Sequence, residues 1–582
     1  MSKKDNRRSF LKQAAVSGLG VTVLPGHFLL PSAAAALNTA PSPPETHPPK
    51  EAISCWLASS LKRVFPQTPA EATGGLEMVV ARNSRVAFQA CYHNNGTSPK
   101  NISCDLASAD TFTPVIRHVG LVPMRHFTPD TVSGELDGTG SIPGLVPDPL
   151  FPQTKATADP FESRSFWITL NIPSGIAPGM HDIAVRLSWD DGRKEKVLPV
   201  KLHVSRLALR PRENFHVIHW WRGGATWDYY KTEMFDNRWW QLTRAQMADL
   251  LDHGTDVAYT PLLFDRKEIF KRPCQLLVVD EPSPGQYRFD WSRVKRFTDM
   301  CKAIGFKKFE WTHMWIYWGV KHPMRVYTEK DGRYVMLWPP DISGFSDTYL
   351  NFLSQFLPAF HRFLLKENIL QDSYFHLSDE PGDQDVENYR KARQILHRIA
   401  PWMKVTDALS NIKYGREHLT DIPVPLISAA EAYRKENIPH WVYYCTVPRG
   451  SYLNRFFDTP LPKIRMAGWL FYHLKAEGFL HWGYNYWHKV GYDEILDPFT
   501  NGDGGCYPGI PYGDPFVVYP GKEGPLSSVR WEVFAESLQD YAMLQSAGID
   551  PDDAMFSDLH NFGDFPKTED WLDQTLNAVL KK

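Results

Sequence analysis

The sequence predicts a chain of two folded parts, an N-terminal β-sandwich followed by a (β/α)8 TIM-like barrel. Three observations carry this expectation. Short strand-like runs punctuated by Gly, Asn and Pro occupy the region before residue 208. Strand and helix patterns then alternate eight times over the rest of the chain. No G-x-G-x-x-G or Walker fingerprint points to an open nucleotide-binding sheet instead.

Ahead of the folded parts, residues 1–36 read as a twin-arginine export signal. Asn6-Arg7-Arg8-Ser9-Phe10-Leu11-Lys12 precedes a weakly apolar run from Ala14 to Leu30 and the small-residue stretch Ala33 to Ala36. That run is interrupted by Gly18, Gly20, Pro25 and His27, so it is too broken for a stable membrane anchor. The expected location is periplasmic or secreted. Residues 37–50 are a Pro-rich linker. The sandwich is expected over 51–207 and the barrel over 208–582.

Within the sandwich region, Val79 to Tyr92, Phe166 to Ile172 and His181 to Trp189 have strand character. Asn94-Asn95-Gly96, Pro173-Ser174-Gly175 and Asp190-Asp191-Gly192 turn the chain between them. Gly134 to Phe161 reads as a long irregular insertion. The barrel strands are expected at Phe215–Trp221, Asp256–Leu263, Lys308–Trp311, Ser373–Leu377, Lys404–Asp407, Pro425–Ser428, Trp441–Cys445 and Phe479–Tyr484. Thr243 is a candidate cap for the first intervening helix, which stops at Gly254, and Asp290 for the next, with Val294, Phe297, Cys301 and Ile304 on one face. Pro358 should kink or split the helix from Asp347 to Lys366. Further helices follow at Asp383–Ala400, Ile464–Glu477 and about Ser528–Leu544.

Net charge is −2, with no basic block beyond the signal, which speaks against nucleic acid as a partner. Seven cysteines show no paired C-x-x-C spacing, and His219, His313, His376 and His488 are scattered without ligand spacing. No metal and no cofactor are expected.

The candidate chemistry lies where the fourth barrel strand ends, at Asp379-Glu380-Pro381, since barrel enzymes act at the C-terminal ends of their strands. Neighbouring strand residues face opposite ways, but the backbone turns at a strand end, and Pro381 biases Glu380 away from the α region. Two close carboxyls in a partly desolvated pocket would divide into one acid and one carboxylate, as cleavage of an acetal requires. The same tripeptide can also merely cap a helix. A second copy, Asp280-Glu281-Pro282, precedes what reads as a hairpin through Gln286-Tyr287-Arg288-Phe289.

Several ordered segments then resemble one family. They are His376-Leu377-Ser378-Asp379-Glu380-Pro381, Gly478 through Trp487, Gly513-Asp514 with Tyr519-Pro520-Gly521, and Ser528 through Glu532 with Asp540-Tyr541. Pro147-Asp148-Pro149-Leu150 and Ile176-Ala177-Pro178-Gly179 match in the sandwich region. Together they resemble the domain of unknown function 4091 group, whose characterised relatives are the β-N-acetylgalactosaminidases of glycoside hydrolase family 123. The resemblance implies a glycan or glycoconjugate substrate and substrate-assisted catalysis. In that scheme Glu380 is the acid/base and Asp379 orients the 2-acetamido group, which replaces the usual enzyme nucleophile.

Residues at strand ends are the candidate sugar ligands: Trp311, His313, Glu431, Tyr433, Tyr444, Asn485, Trp487 and Asp514. Arg530 and Glu532 read as a structural ion pair on the last helix. The extended segments Trp315–Pro340 and Thr500–Tyr519 would reshape the pocket mouth. Two alternatives stand beside this reading: a glycosidase on a non-acetylated sugar, with Glu310 or Glu431 partnering Glu380, and a non-catalytic carbohydrate-binding protein.

Overall fold

The computed structural model describes residues 52–108, 112–263, 273–316 and 318–581. The export signal and linker expected over residues 1–50 lie outside the described residues. Residues 53–208 form two five-stranded sheets. The first has the spatial order Ile53–Ser59, Ser84–Asn94, Ser163–Ile172, Pro114–Met124, Gly144–Phe151. The second runs Leu76–Arg82, Lys194–Ala208, Gly179–Trp189, Lys100–Ser108, Lys155–Ala158. Side chains from both sheets, among them Phe88, Phe166, Ile168, Val185, Leu198 and Val200, share one buried core, because each sheet hides one face of its alternating pattern.

Two expectations change in this region. The strand expected from Val79 to Tyr92 is two strands in different sheets. Asn83 divides them: it is left-handed, with φ 54°, and its side-chain amide donates to the Leu209 carbonyl at 2.7 Å. Nor is the segment from Gly134 to Phe161 irregular, since it holds the edge strands Gly144–Phe151 and Lys155–Ala158. Pro147 and Pro149 conceal the first of these. Proline is tolerated on an edge strand, where no second ladder needs its missing donor.

From His216 onward, strands that alternate with helices pair in parallel. Six form one sheet in the order Ser373–His376, Lys308–His313, Val257–Thr260, His216–His219, Gly478–His481, Val442–Tyr443. Thr406–Ala408 and Ile422–Val424 form a parallel pair. Single parallel bridges, Phe375 to Val405 and Leu426 to Tyr443, link that pair to the two ends of the six-stranded sheet. The sixth strand thus forms a few residues earlier than Pro425–Ser428.

The helices between these strands present apolar faces to the sheet, as parallel sheets require. The first long one, Asn237–Asp252, is capped by Asp236, which accepts from the Trp239 N–H at 2.6 Å. Thr243, expected as its cap, is buried within it. Asp290 does accept from the Ser292 N–H at 2.9 Å, at the start of Ser292–Ile304. Asp347–Lys366 is one helix rather than two, with Pro358 inside it. Its Phe356, Phe360 and Phe363 stack on Trp291, and this packing holds the helix together across the hydrogen bond that proline cannot make. Leu461–His473 lies directly on Val529–Ala547; a Cβ at Gly468 would fall 1.7 Å from the Ser537 carbonyl oxygen, so only glycine allows the approach.

Arg530 and Glu532 are both ion-paired, though not to each other. The Arg530 guanidinium bonds Asp148 at 2.9 and 3.0 Å, and Glu532 accepts from Arg117 at 2.6 Å. Both pairs tie the last long helix to the N-terminal sheets. Among the described residues, none of the seven cysteines forms a disulfide. Among the described residues no helix is long and apolar enough to cross a membrane.

Candidate active site

Past the end of the Ser373–His376 strand, the chain stays anchored to the segment that follows Lys308–His313. The Met314 N–H donates to the His376 carbonyl at 3.1 Å, Trp315 N–H to Leu377 at 2.9 Å, and Trp318 N–H to Asp379 at 3.0 Å. Ser378 Oγ returns a bond to the Ile316 carbonyl at 3.0 Å. This double rail presents Asp379, which is buried, and Glu380, which is half-buried.

Glu380 has φ 43°. Pro381 disfavours the right-handed α region for Glu380, and the rail turns it left-handed. Trp318 and Val320, both at φ 56°, flank Gly319 at φ 126° in the facing loop. Such conformations cost about 1–3 kcal/mol per non-glycine residue and persist where neighbours over-determine them. Here they gather around one carboxylate pair. Tyr443 donates its phenol hydrogen to Glu380 Oε1 at 2.7 Å, and Trp318 Nε1 lies 3.4 Å from Oε2. Burial, and then the Glu380 charge, push the Tyr443 phenol well above its usual range, so it stays a donor throughout the working pH range. Trp318 is 57% exposed, and its indole N–H borders the carboxyl.

Beneath the pair lies a buried polar chain. His376 Nδ1 bonds Asp407 Oδ1 at 3.0 Å, and its Nε2 bonds Glu310 Oε1. Glu310 also accepts from Trp220 Nε1 at 3.0 Å. Asp407 accepts from the Tyr389 hydroxyl at 2.5 Å and from the backbone of Leu377 and Ser378. Burial alone would lower the His376 pKa, but Glu310 and Asp407 outweigh it and hold the ring cationic, with a pKa of about 10.

A further wall carries Arg222, with its guanidinium carbon 5.3, 5.8 and 6.0 Å from the ring centres of Trp220, Tyr259 and Tyr486. Tyr486 meets Trp482 edge-on at 5.2 Å. Trp482 Nε1 donates to Asp514 Oδ2 at 3.0 Å. Burial raises the Asp514 pKa to about 7. Burial, and then the charges of Asp514 and Glu380, push the Cys445 thiol up.

The sequence-predicted ligands divide sharply. His313 is at the site, its ring stacked on His376 at 4.4 Å. A register shift between Glu310 and His313 allows these residues, three apart, to approach the same imidazole. Asp514 is near the site, behind Trp482. Trp311 is not a ligand: it faces the helix side, donating to Ser373 Oγ at 3.0 Å and packing edge-on against Phe360. Tyr444 is fully buried against Phe479, because its neighbour Tyr443 takes the inward position of the alternating strand. Tyr433 spends its hydroxyl on the Leu409 and Asn411 carbonyls. Glu431 pairs with Arg434 at 2.8 Å on a short outer helix. Asn485 clamps the Arg222 backbone in both directions, at 2.7 and 3.2 Å. Trp487 donates to the Val518 carbonyl and is 1% exposed. The structure engages these six in contacts within the fold. The second Asp-Glu-Pro sits in the antiparallel hairpin Val278–Ser283 and Gln286–Asp290, where Glu281 accepts from the Gly285 N–H at 3.0 Å.

Sequence reasoning missed Tyr443, Trp318, Trp482, Arg222 and Tyr486. Arg222 carried one usable signal, since it follows the first strand at the end where barrel sites form. The histidines are also less scattered than they read: ligand atoms of His313, His376 and Asp407 lie within 4.8 Å of one another. Both His376 nitrogens are bonded to carboxylates and its ring is stacked on His313. An imidazolium fits this geometry better than a metal ligand, which needs a free lone pair.

A carboxyl pair at the C-terminal end of parallel strands, bordered by tryptophan and tyrosine, fits a carbohydrate-cleaving hydrolase. Residues 220–547 match the family profile described as glycoside hydrolase 123, catalytic domain, and the chain belongs to glycoside hydrolase family 123. Its fold is similar to that of a family 123 glycoside hydrolase from Clostridium perfringens, with a TM-score of 0.71 at 15% identity, over 91% of this chain and 97% of that one. A β-glucuronidase from Parabacteroides merdae aligns over 84% of this chain and 51% of its own at 8% identity, with a TM-score of 0.32. No protein of curated function matches the chain significantly in sequence.

Proposed function

We propose that the chain is an exported hydrolase that releases β-linked N-acetylhexosamine, N-acetylgalactosamine foremost, by substrate-assisted retaining catalysis. The observation that carries the reading is the adjacent pair itself: Asp379 buried beside a Glu380 gripped by Tyr443. An ordinary retaining enzyme sets its two carboxyls about 5 Å apart across the scissile bond. Adjacent carboxyls suit a reaction in which the sugar supplies its own nucleophile.

Glu380 protonates the glycosidic oxygen as the C1–O bond breaks. The acetamido carbonyl oxygen attacks C1 from the opposite face, forming an oxazolinium ion. Asp379 accepts the amide N–H and balances the positive charge. Glu380 then takes a proton from water as that water opens the ring at C1, and the configuration is retained. Tyr443 supports the second step, because a donor on Oε1 favours the carboxylate form. Trp318, Trp482 and Tyr486 provide aromatic faces for sugar rings.

The same reading closes the parallel strands into a (β/α)8 barrel, preceded by a sandwich domain. The bridges Phe375–Val405 and Leu426–Tyr443 support this, since they connect all eight strands in a ring of parallel neighbours. The relative from Clostridium perfringens is described as hydrolysing glycolipid glycans, and a glycoconjugate of that kind is the substrate class we favour. A thiazoline analogue of N-acetylgalactosamine tests the mechanism. It should inhibit competitively and more tightly than the free sugar; no inhibition would remove the oxazolinium step.

A further inference from the structure

The loop that carries the catalytic pair is held from below by a side chain on the neighbouring strand. We propose that Asp407 is a positioning residue for the reaction. By taking the backbone N–H groups of Leu377 and Ser378, it fixes the peptide that delivers Asp379 and Glu380 into the left-handed turn. This rests on the assignment of Glu380 as acid/base.

The geometry is specific. Asp407 belongs to Thr406–Ala408, next to Ser373–His376, and the two strands share a single backbone bridge, Phe375 to Val405. Beyond that bridge a regular parallel ladder would continue with carbonyl acceptors, and the chain at residues 377–380 would remain extended. The Asp407 carboxylate takes the place of those carbonyls. The Leu377 N–H lies 3.1 and 3.2 Å from its two oxygens, and the Ser378 N–H 3.4 Å from Oδ2. Because the acceptor is a side chain, the backbone above it is free to leave the ladder at Asp379 and reach φ 43° at Glu380.

The carboxylate is itself locked. His376 Nδ1 holds Oδ1 at 3.0 Å, and the Tyr389 hydroxyl, from the helix Val386–Ile399, holds Oδ2 at 2.5 Å. The other His376 nitrogen ends on Glu310, which is anchored by Trp220. Every member of this chain is buried. A charged network placed under a strained turn over-determines that turn, the condition under which such strain persists.

The test compares Asp407→Asn and Tyr389→Phe with the unaltered full chain, using an aryl N-acetyl-β-galactosaminide and checking melting and far-ultraviolet circular dichroism. Asparagine keeps the shape but loses one of the two acceptor oxygens. A shift of the reacting carboxyl by an ångström costs about 10²-fold in rate, so kcat of Asp407→Asn should fall by about that factor, with KM within about 3-fold. Tyr389→Phe loosens a single bond and should lower kcat several-fold with KM unchanged. A purely structural Asp407 would reduce only the amount of folded protein. A folded Asp407→Asn with kcat within about 3-fold of the parent overturns the proposal. Should that variant not fold, an unaltered kcat in Tyr389→Phe does the same. Proton NMR separates this outcome from failure of the substrate reading. The parent should show two far-downfield His376 ring N–H resonances, one of which is lost in Asp407→Asn, whichever glycoside is turned over; an unchanged pair in that variant overturns the proposal too.

Discussion

Tyr443 donates to Glu380 Oε1 at 2.7 Å from a strand separated from Glu380 by two others in the parallel series. The contact crosses the C-terminal end of the fold, where chemistry is expected. Its donor comes from a phenol that burial and the Glu380 charge keep neutral. Tyr443→Phe should therefore lower kcat/KM by about 10-fold, the scale of one hydrogen bond to a charged group. Steady-state kinetics on an aryl glycoside measure this directly. An unchanged value would mean that Glu380 is held by other contacts.

On the proposed mechanism, Glu380→Gln removes the proton donor without changing shape. General acid catalysis contributes about 10²–10⁴-fold, and the loss should be largest for alkyl or sugar leaving groups. With an activated nitrophenyl leaving group, departure needs little protonation, so bond cleavage should suffer far less. A loss independent of the leaving group would assign Glu380 another role.

His376 links stability to alkaline pH. Burial works to lower its pKa, but Glu310 and Asp407 raise it from 6.5 to about 10. A raised folded pKa contributes stability that is fully present below about pH 6.5 and is lost as pH rises through about 10. The parent should melt progressively lower across that window. His376→Gln, melting lower at neutral pH, should show a flatter profile over the same interval. Parallel profiles would show that the ring is not cationic in the fold.

Asp514 works in the same direction for a different reason. Burial raises its pKa from 3.8 to about 7, so its neutral form stabilises the fold at low pH and that contribution disappears as pH rises through about 7. Asp514→Asn keeps an acceptor for Trp482 Nε1 and removes the charge. It should melt higher than the parent at about pH 8 and near the parent at about pH 4. Thermal melts at the two pH values decide it.

Local pattern was enough to place the carboxyl pair just past the end of a strand, since Ser373–His376 stops three residues before Asp379 in the fold. It was not enough to choose Tyr443 over Tyr444. Alternation says the two face opposite ways, but which one faces inward depends on pairing with Gly478–His481. Trp311 faces the helix side for the same reason. The partnership of His376 with Asp407 and Glu310 joins residues 31 and 66 positions apart, so no spacing rule could reveal it. Asn83 lies in the polar run Arg82-Asn83-Ser84-Arg85, a turn signal masked by the loose alternation on both sides of it. Gly144–Phe151 was hidden by prolines that only an edge strand admits. Each of these depends on a neighbour supplied by distant sequence.

The most direct test of the account is the ratio of kcat/KM for an aryl N-acetyl-β-galactosaminide to that for the matching aryl β-galactoside. If the acetamido group is the nucleophile and Asp379 its guide, turnover is confined to the N-acetylated sugar. Turnover confined to the galactoside, or equal on both, would contradict the mechanism built on Asp379 and Glu380.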